Sequence, residues 1–167
     1  DSGDELAFCD TAGNLNAVQF SNNKLSFIWS EIPIFGQPFA APLGVDLNLD
    51  GQKELLVATE KSLNCYLGTL GEQCWRKPYN VLATIFAGPA LFTTKDNKQV
   101  VFIGDDRGMA HFVDVVTGNE DVVITFRKND IISHPMLADV LGDGLLDLIV
   151  LGSRGKRIVM YSTWYPV

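Results

Sequence analysis

The chain has 167 residues, of which 47% are hydrophobic and 20% charged, with a formal net charge of -7 and an isoelectric point near 4.7. An acidic field of this kind repels phosphate, so a nucleic-acid surface is not expected. No stretch approaches the roughly 18 consecutive apolar residues of a membrane-spanning helix, and no basic start followed by an apolar segment marks a leader, which a chain beginning inside a repeat is expected to have lost.

Taken in order, the predicted elements fall into four units. Residues 1–35 form the first: Asp1-Ser2-Gly3-Asp4-Glu5-Leu6 reads as the tail of an acidic loop, Glu5 to Cys9 as the strand after it, and the strand before it is missing. Ser21-Asn22-Asn23-Lys24 is a polar turn whose Ser-x-x-Lys spacing lacks the helix and partner motifs of acylating enzymes. Residues 36–80 are the most complete unit, with strands expected at Phe39 to Val45, Glu54 to Thr59, Leu63 to Leu67 and Gln73 to Trp75. Residues 81–130 repeat the plan at Ile85 to Thr93, Gln99 to Gly104, Met109 to Val115 and Val122 to Phe126, broken by Asp105-Asp106-Arg107-Gly108 and Thr117-Gly118-Asn119. Residues 131–167 give Leu148 to Leu151 and Arg157 to Thr163, without a clear fourth strand.

Landmarks recur at the same interval. Pro42, Pro89 and Pro135 lie 47 and 46 residues apart, and Trp29 and Trp75 lie 46 apart. A period in this range with four short strands per unit predicts an all-β fold, a β-propeller of four-stranded antiparallel blades. The second strand of each unit is apolar without alternation, as expected when neighbouring sheets cover both faces. About fourteen strands in two whole and two partial blades do not close a ring, so the remainder is expected from further blades, a protein partner or another copy of the chain.

The acidic loops are the candidate sites. Asp46, Asn48 and Asp50 stand at alternate positions of a tight loop, the Gln52 carbonyl and Glu54 follow, and Gly51 permits the bend, an oxygen set suited to a structural Ca2+. The loop Asp139 to Asp147 is poorer, because Leu141 replaces one ligand and leaves Asp139, Asp143 and Asp147. The segment Thr93 to Gln99 has lost the pattern. The competing reading is a metal-free turn, since Asp and Asn bond nearby amides and Asp-Gly favours chain reversal.

Asp46-Leu-Asn-Leu-Asp-Gly-Gln-Lys-Glu-Leu-Leu-Val resembles the FG-GAP repeat, integrin-α-like and also called VCBS-type, as does Ala138-Asp-Val-Leu-Gly-Asp-Gly-Leu-Leu-Asp-Leu-Ile-Val. The resemblance implies a β-propeller with calcium-binding loops on one face and contacts to partner proteins on the other, as in adhesion receptors and some intracellular scaffolds. Val113-Asp114-Val115-Val116-Thr117-Gly118-Asn119 is similar to the docking motif of quinoprotein (PQQ-like) blades, though Val122 stands where that family has tryptophan. Gly71 and Trp75 keep that motif's spacing. The similarity implies that Trp29 and Trp75 pack between blades.

His111, in a predicted strand, and His134, before Pro135, are the only histidines, and neither has a zinc-ligand spacing to another candidate. Arg154, Lys156 and Arg157 form the one basic cluster and read as a solvated hairpin turn. Cys65 and Cys74 flank Gly68 to Gly71 symmetrically and are candidates for a disulfide or for two packed thiols, while Cys9 reads as a buried free thiol. No Asn begins an Asn-x-Ser/Thr acceptor, and the compartment expected from the resemblance is extracellular or lumenal, a cytoplasmic scaffold being the alternative. The function expected is a non-catalytic protein-interaction module, for adhesion or scaffolding. The alternative is a fragment of a propeller enzyme, quinoprotein-like or acting on polysaccharide.

Overall fold

A run such as Leu55-Leu56-Val57-Ala58 can form a strand only where both faces of its sheet are covered. The computed structural model, which describes residues 4–85, 87–94, 97–126, 132–152 and 157–166, shows how that is achieved. The described residues are strands joined by turns, bends and irregular loops, and there is no helix among them. Sheet 1 has the order β1 (Asp4–Cys9), β2 (Asn14–Ser21), β3 (Lys24–Pro33). Sheet 2 runs β4 (Leu43–Val45), β5 (Glu54–Ala58), β6 (Ser62–Leu67), β7 (Tyr79–Asn80). Sheet 3 runs β8 (Ala90–Thr93), β9 (Gln99–Gly104), β10 (Met109–Asp114), β11 (Glu120–Thr125), and sheet 4 runs β12 (Ile132–Ala138), β13 (Leu145–Gly152), β14 (Arg157–Pro166). All pairings are antiparallel between strands adjacent in sequence.

The sheets stack in chain order, and three apolar cores fill the three junctions. Leu55, Val57 and Tyr66 face sheet 1 and meet Leu15 and Ile34, whereas Leu56, Ala58, Leu63 and Cys65 face sheet 3 and meet Val101, Ile103 and Val113. Val100, Phe102, Ala110 and Phe112 point the other way, to Leu146, Leu148 and Val150 of sheet 4. Each inner strand therefore divides alternate residues between two cores, which explains its unbroken apolar run.

Turns close where polar side chains take the place of strand partners. Asp10 Oδ1 accepts the amides of Ala12 and Asn14, and Asp105 Oδ1 those of Arg107 and Met109, at the same place in their hairpins. In sheet 2 Thr59 Oγ1 does this work for Lys61 and Ser62. Asn22 and Asn23, both left-handed with φ of 53° and 58°, make the tight β2–β3 turn, so the Ser-x-x-Lys spacing is hairpin chemistry.

The fourth strand of sheet 2 departs from expectation. Cys74 N bonds Cys65 O at 2.9 Å and Gln73 bridges Tyr66, but the chain then bends away and pairing resumes only at Tyr79 and Asn80. Trp75 is the reason: its indole leaves the ladder to reach sheet 3.

Candidate functional site

The two acidic loops share one bonding plan. Asp46 Oδ1 accepts Asp50 N at 3.1 Å and its Oδ2 accepts Gly51 N at 2.9 Å, while Asp139 Oδ1 accepts Asp143 N at 3.1 Å and its Oδ2 accepts Gly144 N at 3.0 Å. Asp50 Oδ1 takes Gln52 N and Asp143 Oδ1 takes Leu145 N. Asn48 adds bonds to Asp50 from both ends of its amide. At the last position both carboxylates turn inward: buried Glu54 accepts Leu47 N at 2.8 Å, and buried Asp147 accepts Val140 N and Leu141 N. Asp147 Oδ1 is buried with no hydrogen-bond partner among the described residues, the one loop carboxylate oxygen left so. A single such oxygen is not a cage. Among the described residues no group of three His, Cys, Asp or Glu side chains is placed to hold a metal ion.

The tryptophans sit at the junctions. Trp75 Nε1 donates to Val115 O at 2.8 Å, and Trp29 Nε1 to Gly68 O at 2.7 Å, each reaching from one sheet to the next. Gly118, with φ +69°, lies so close beneath Trp75 that a Cβ there would stand 2.6 Å from Cδ2 of the indole. At Gly71 a Cβ would meet Ile32 at 2.9 Å and Trp29 at 3.1 Å. Glycine is required at both positions by a left-handed backbone and by contact with a ring.

A polar cluster spans the junction of sheets 2 and 3, which the spacing of the two histidines does not reveal. His111, buried on β10 and facing sheet 2, places Nε2 3.3 Å from Asp105 Oδ2 and Nδ1 2.9 Å from the Tyr79 hydroxyl. Tyr79 in turn donates to Glu120 Oε2. Burial pushes the Asp105 carboxyl up, but the bonds from His111 and from the Met109 and Arg107 amides outweigh it and hold it below the usual range. Burial, reinforced by Glu120, raises the Tyr79 phenol. The one sequence signal was a lone histidine between Ala110 and Phe112 in a strand.

Cys65 and Cys74 are neighbours across the sheet and both are free thiols. The Cys74 side chain and burial together push the Cys65 thiol far up. Cys9 is half-buried rather than fully buried, and burial followed by the Asp10 charge raises it to about 11. The segment carrying Arg154 and Lys156, and the His134 side chain, lie outside the described residues.

The outer faces of the end sheets are apolar and open. On sheet 1 Leu6, Phe8, Phe20, Leu25 and Phe27 are exposed, with Leu25 at 68% and Phe27 at 63%. On sheet 4 Met136, Leu151, Ile158 and Met160 are exposed, with Ile158 at 71%. Between sheets 1 and 2 a cleft of about 920 Å³ lies alongside β1, lined by Glu5, Ala7, Ala17, Pro42, Gly44 and Leu55.

No protein-family model and no curated protein sequence matches the chain. Solved structures do match it. BBS1N, crystallised in complex with ARL6DN, superposes with a TM-score of 0.72 at 12% identity over 100% of this chain and 51% of that one. Sqt1 of Saccharomyces cerevisiae gives 0.68 at 14% identity over 98% and 48%, and BamB of Moraxella catarrhalis 0.63 at 17% over 93% and 45%. The chain thus spans about half the length of these structures. Identities this low speak to fold alone, and with sheets stacked through three cores the fold is an all-β propeller arc of two four-stranded blades between two three-stranded ones.

Proposed function

We propose that the chain is the non-catalytic, protein-binding half of a propeller, whose two open faces are covered by further four-stranded sheets. The observation that carries this is the contrast in burial: Leu56, Val57, Phe102 and Phe112 on the inner sheets are fully buried, while the large apolar residues on the outer faces of sheets 1 and 4 stand in solvent. A contiguous apolar face of this kind on a stable fold marks an interface. Its chemistry is that of the three internal junctions, so a sheet is the occupant it fits. The neighbours support the reading at the level of fold, and one of them, BBS1N, was crystallised with a protein partner.

The test is the native mass of the chain, alone and from its source. Association through the ends is expected, lost on Leu25→Glu with Phe27→Glu while the fold is retained. A soluble monomer with no copurifying protein would overturn the reading.

For the acidic loops we propose the metal-free state. Their carboxylates hold the loop by bonding its own amides, fixing the entry into β5 and β13.

A further inference from the structure

The geometry points to a strand-acceptor site: we propose that the free edge of β1, with the cleft beside it, takes an extended polypeptide segment that pairs antiparallel with β1 and sets apolar side chains from two alternate positions between sheets 1 and 2. The site rests on the reading of the chain as a protein-binding arc, yet it is an edge between two sheets and not one of the outer faces.

The other three sheets show what stands at this place. The amides of Asp10, Thr59 and Asp105 close equivalent hairpins by bonding Asn14 O, Ser62 O and Met109 O. Five residues before each lie Glu5, Glu54 and Val100, which are therefore the same position in sheets 1, 2 and 3. Opposite Glu54 stands Val45 of β4, opposite Val100 stands Phe92 of β8, and in sheet 4 Ala138 of β12 stands opposite Asp147. In sheet 1 β1 is the end of the order, and no described strand lies beyond it. The Asp10 amide faces β2, so by antiparallel alternation along an unbroken register the amides of Glu5 and Ala7 face the open side. An unpaired edge is a template for an added strand, with main-chain bonds giving affinity and alternate side chains giving selectivity.

The cleft lies where the side chains of such a strand belong. Leu43 and Val45 of β4 fill the junction of sheets 2 and 3, and Phe92 of β8 fills that of sheets 3 and 4. At the junction of sheets 1 and 2 the equivalent space is the cleft of about 920 Å³, lined by Glu5, Ala7 and Ala17 from one sheet and Pro42, Gly44 and Leu55 from the other. Glu5 supplies an independent sign. Its counterparts are buried and bonded: Glu54 accepts Leu47 N at 2.8 Å and Asp147 accepts Val140 N at 2.9 Å, each amide two residues past the residue opposite the carboxylate. The Glu5 carboxylate is exposed and accepts no bond from a described residue. An entering segment brings that amide.

The probe is a fluorescein-labelled synthetic peptide with the sequence of residues 39–48, which carries Leu43, Val45 and the Leu47 amide in the spacing that β4 uses. Full-length chain carrying Leu25→Glu and Phe27→Glu, which disables the outer face of sheet 1, is expected to bind the peptide saturably below millimolar concentration by anisotropy, with slowed hydrogen exchange at Glu5 and Ala7. Leu43→Asp in the peptide should weaken binding at least about tenfold while leaving the folded chain untouched. Ala7→Pro in the chain should do the same, since proline is tolerated at an edge where its missing N–H faces outward. Absence of saturable binding, equal binding of the Leu43→Asp peptide, or binding without protection at Glu5 and Ala7 would overturn the site, whatever the native mass of the chain. Protection of those amides before peptide is added, lost on dilution, would assign the edge to a second copy and overturn it too. A soluble, partnerless monomer that binds the peptide in this way keeps the site and overturns only the reading of the outer faces.

Discussion

Sheets 2 and 3 differ from sheets 1 and 4 less in composition than in what lies against them. On β5 alternate residues serve two cores, Leu55 and Val57 one and Leu56 and Ala58 the other. On β1 the same alternation sends Ala7 and Cys9 to a core and leaves Leu6 and Phe8 in solvent. The lesson is that an apolar strand without alternation is a promise of two neighbours, and the end sheets have one each among the described residues. Apolar surface left this way stabilises nothing until a partner arrives.

The comparison can be broken most severely at a junction. Gly118→Val puts a branched side chain into the Trp75 ring at a left-handed backbone and should cost about 4 kcal/mol in urea unfolding, from overpacking and strain together. Gly142→Ala, left-handed with φ +70° but with open space around the new Cβ, should cost only about 1 kcal/mol. Equal losses would mean that the tryptophan contact is unimportant. Leu56→Ala, at a fully buried position between sheets 2 and 3, should cost about 3 kcal/mol, whereas Leu25→Ala in dilute chain should change stability by less than about 0.5 kcal/mol.

A pH experiment sharpens the same contrast. Asp105 is buried and held below the ordinary carboxylate range, so it contributes stability above its unfolded value that is lost as pH falls through the folded one. Asp105→Asn should therefore cost about 2 kcal/mol at pH 7 and progressively less as the pH is lowered through the acid range. The smallest effect is expected at the acidic loops, where millimolar Ca2+ should shift the melting midpoint by less than about 1 °C, since any ion with useful affinity for the folded loop alone would raise it. A rise of several degrees would assign Asp46, Asn48, Asp50, Gln52 and Glu54, or Asp139, Asp143 and Asp147, as ligands.

Much of this was legible in the residues. The repeat interval, the unalternating second strands and the Gly71 to Trp75 spacing each report a local pattern, and strand number, stacking and tryptophan docking follow from them. The fourth strand of sheet 2 was misplaced at Gln73 to Trp75 because Trp75 looks like a strand residue by type, while its hydrogen bond to Val115 O, 40 residues away, pulls it out of the ladder. The His111 cluster was hidden for the same reason, its partners Tyr79 and Glu120 being 41 residues apart in sequence. Short-range spacing cannot register such a meeting.

Hydrogen exchange on the native chain tests the central claim most directly, because strands between two cores should open only with global unfolding. The account predicts the slowest amides in β5, β6, β9 and β10 and markedly faster exchange in β1, β3 and β14. Protection as strong in the end sheets as in the inner ones, for the chain without a partner, would contradict it.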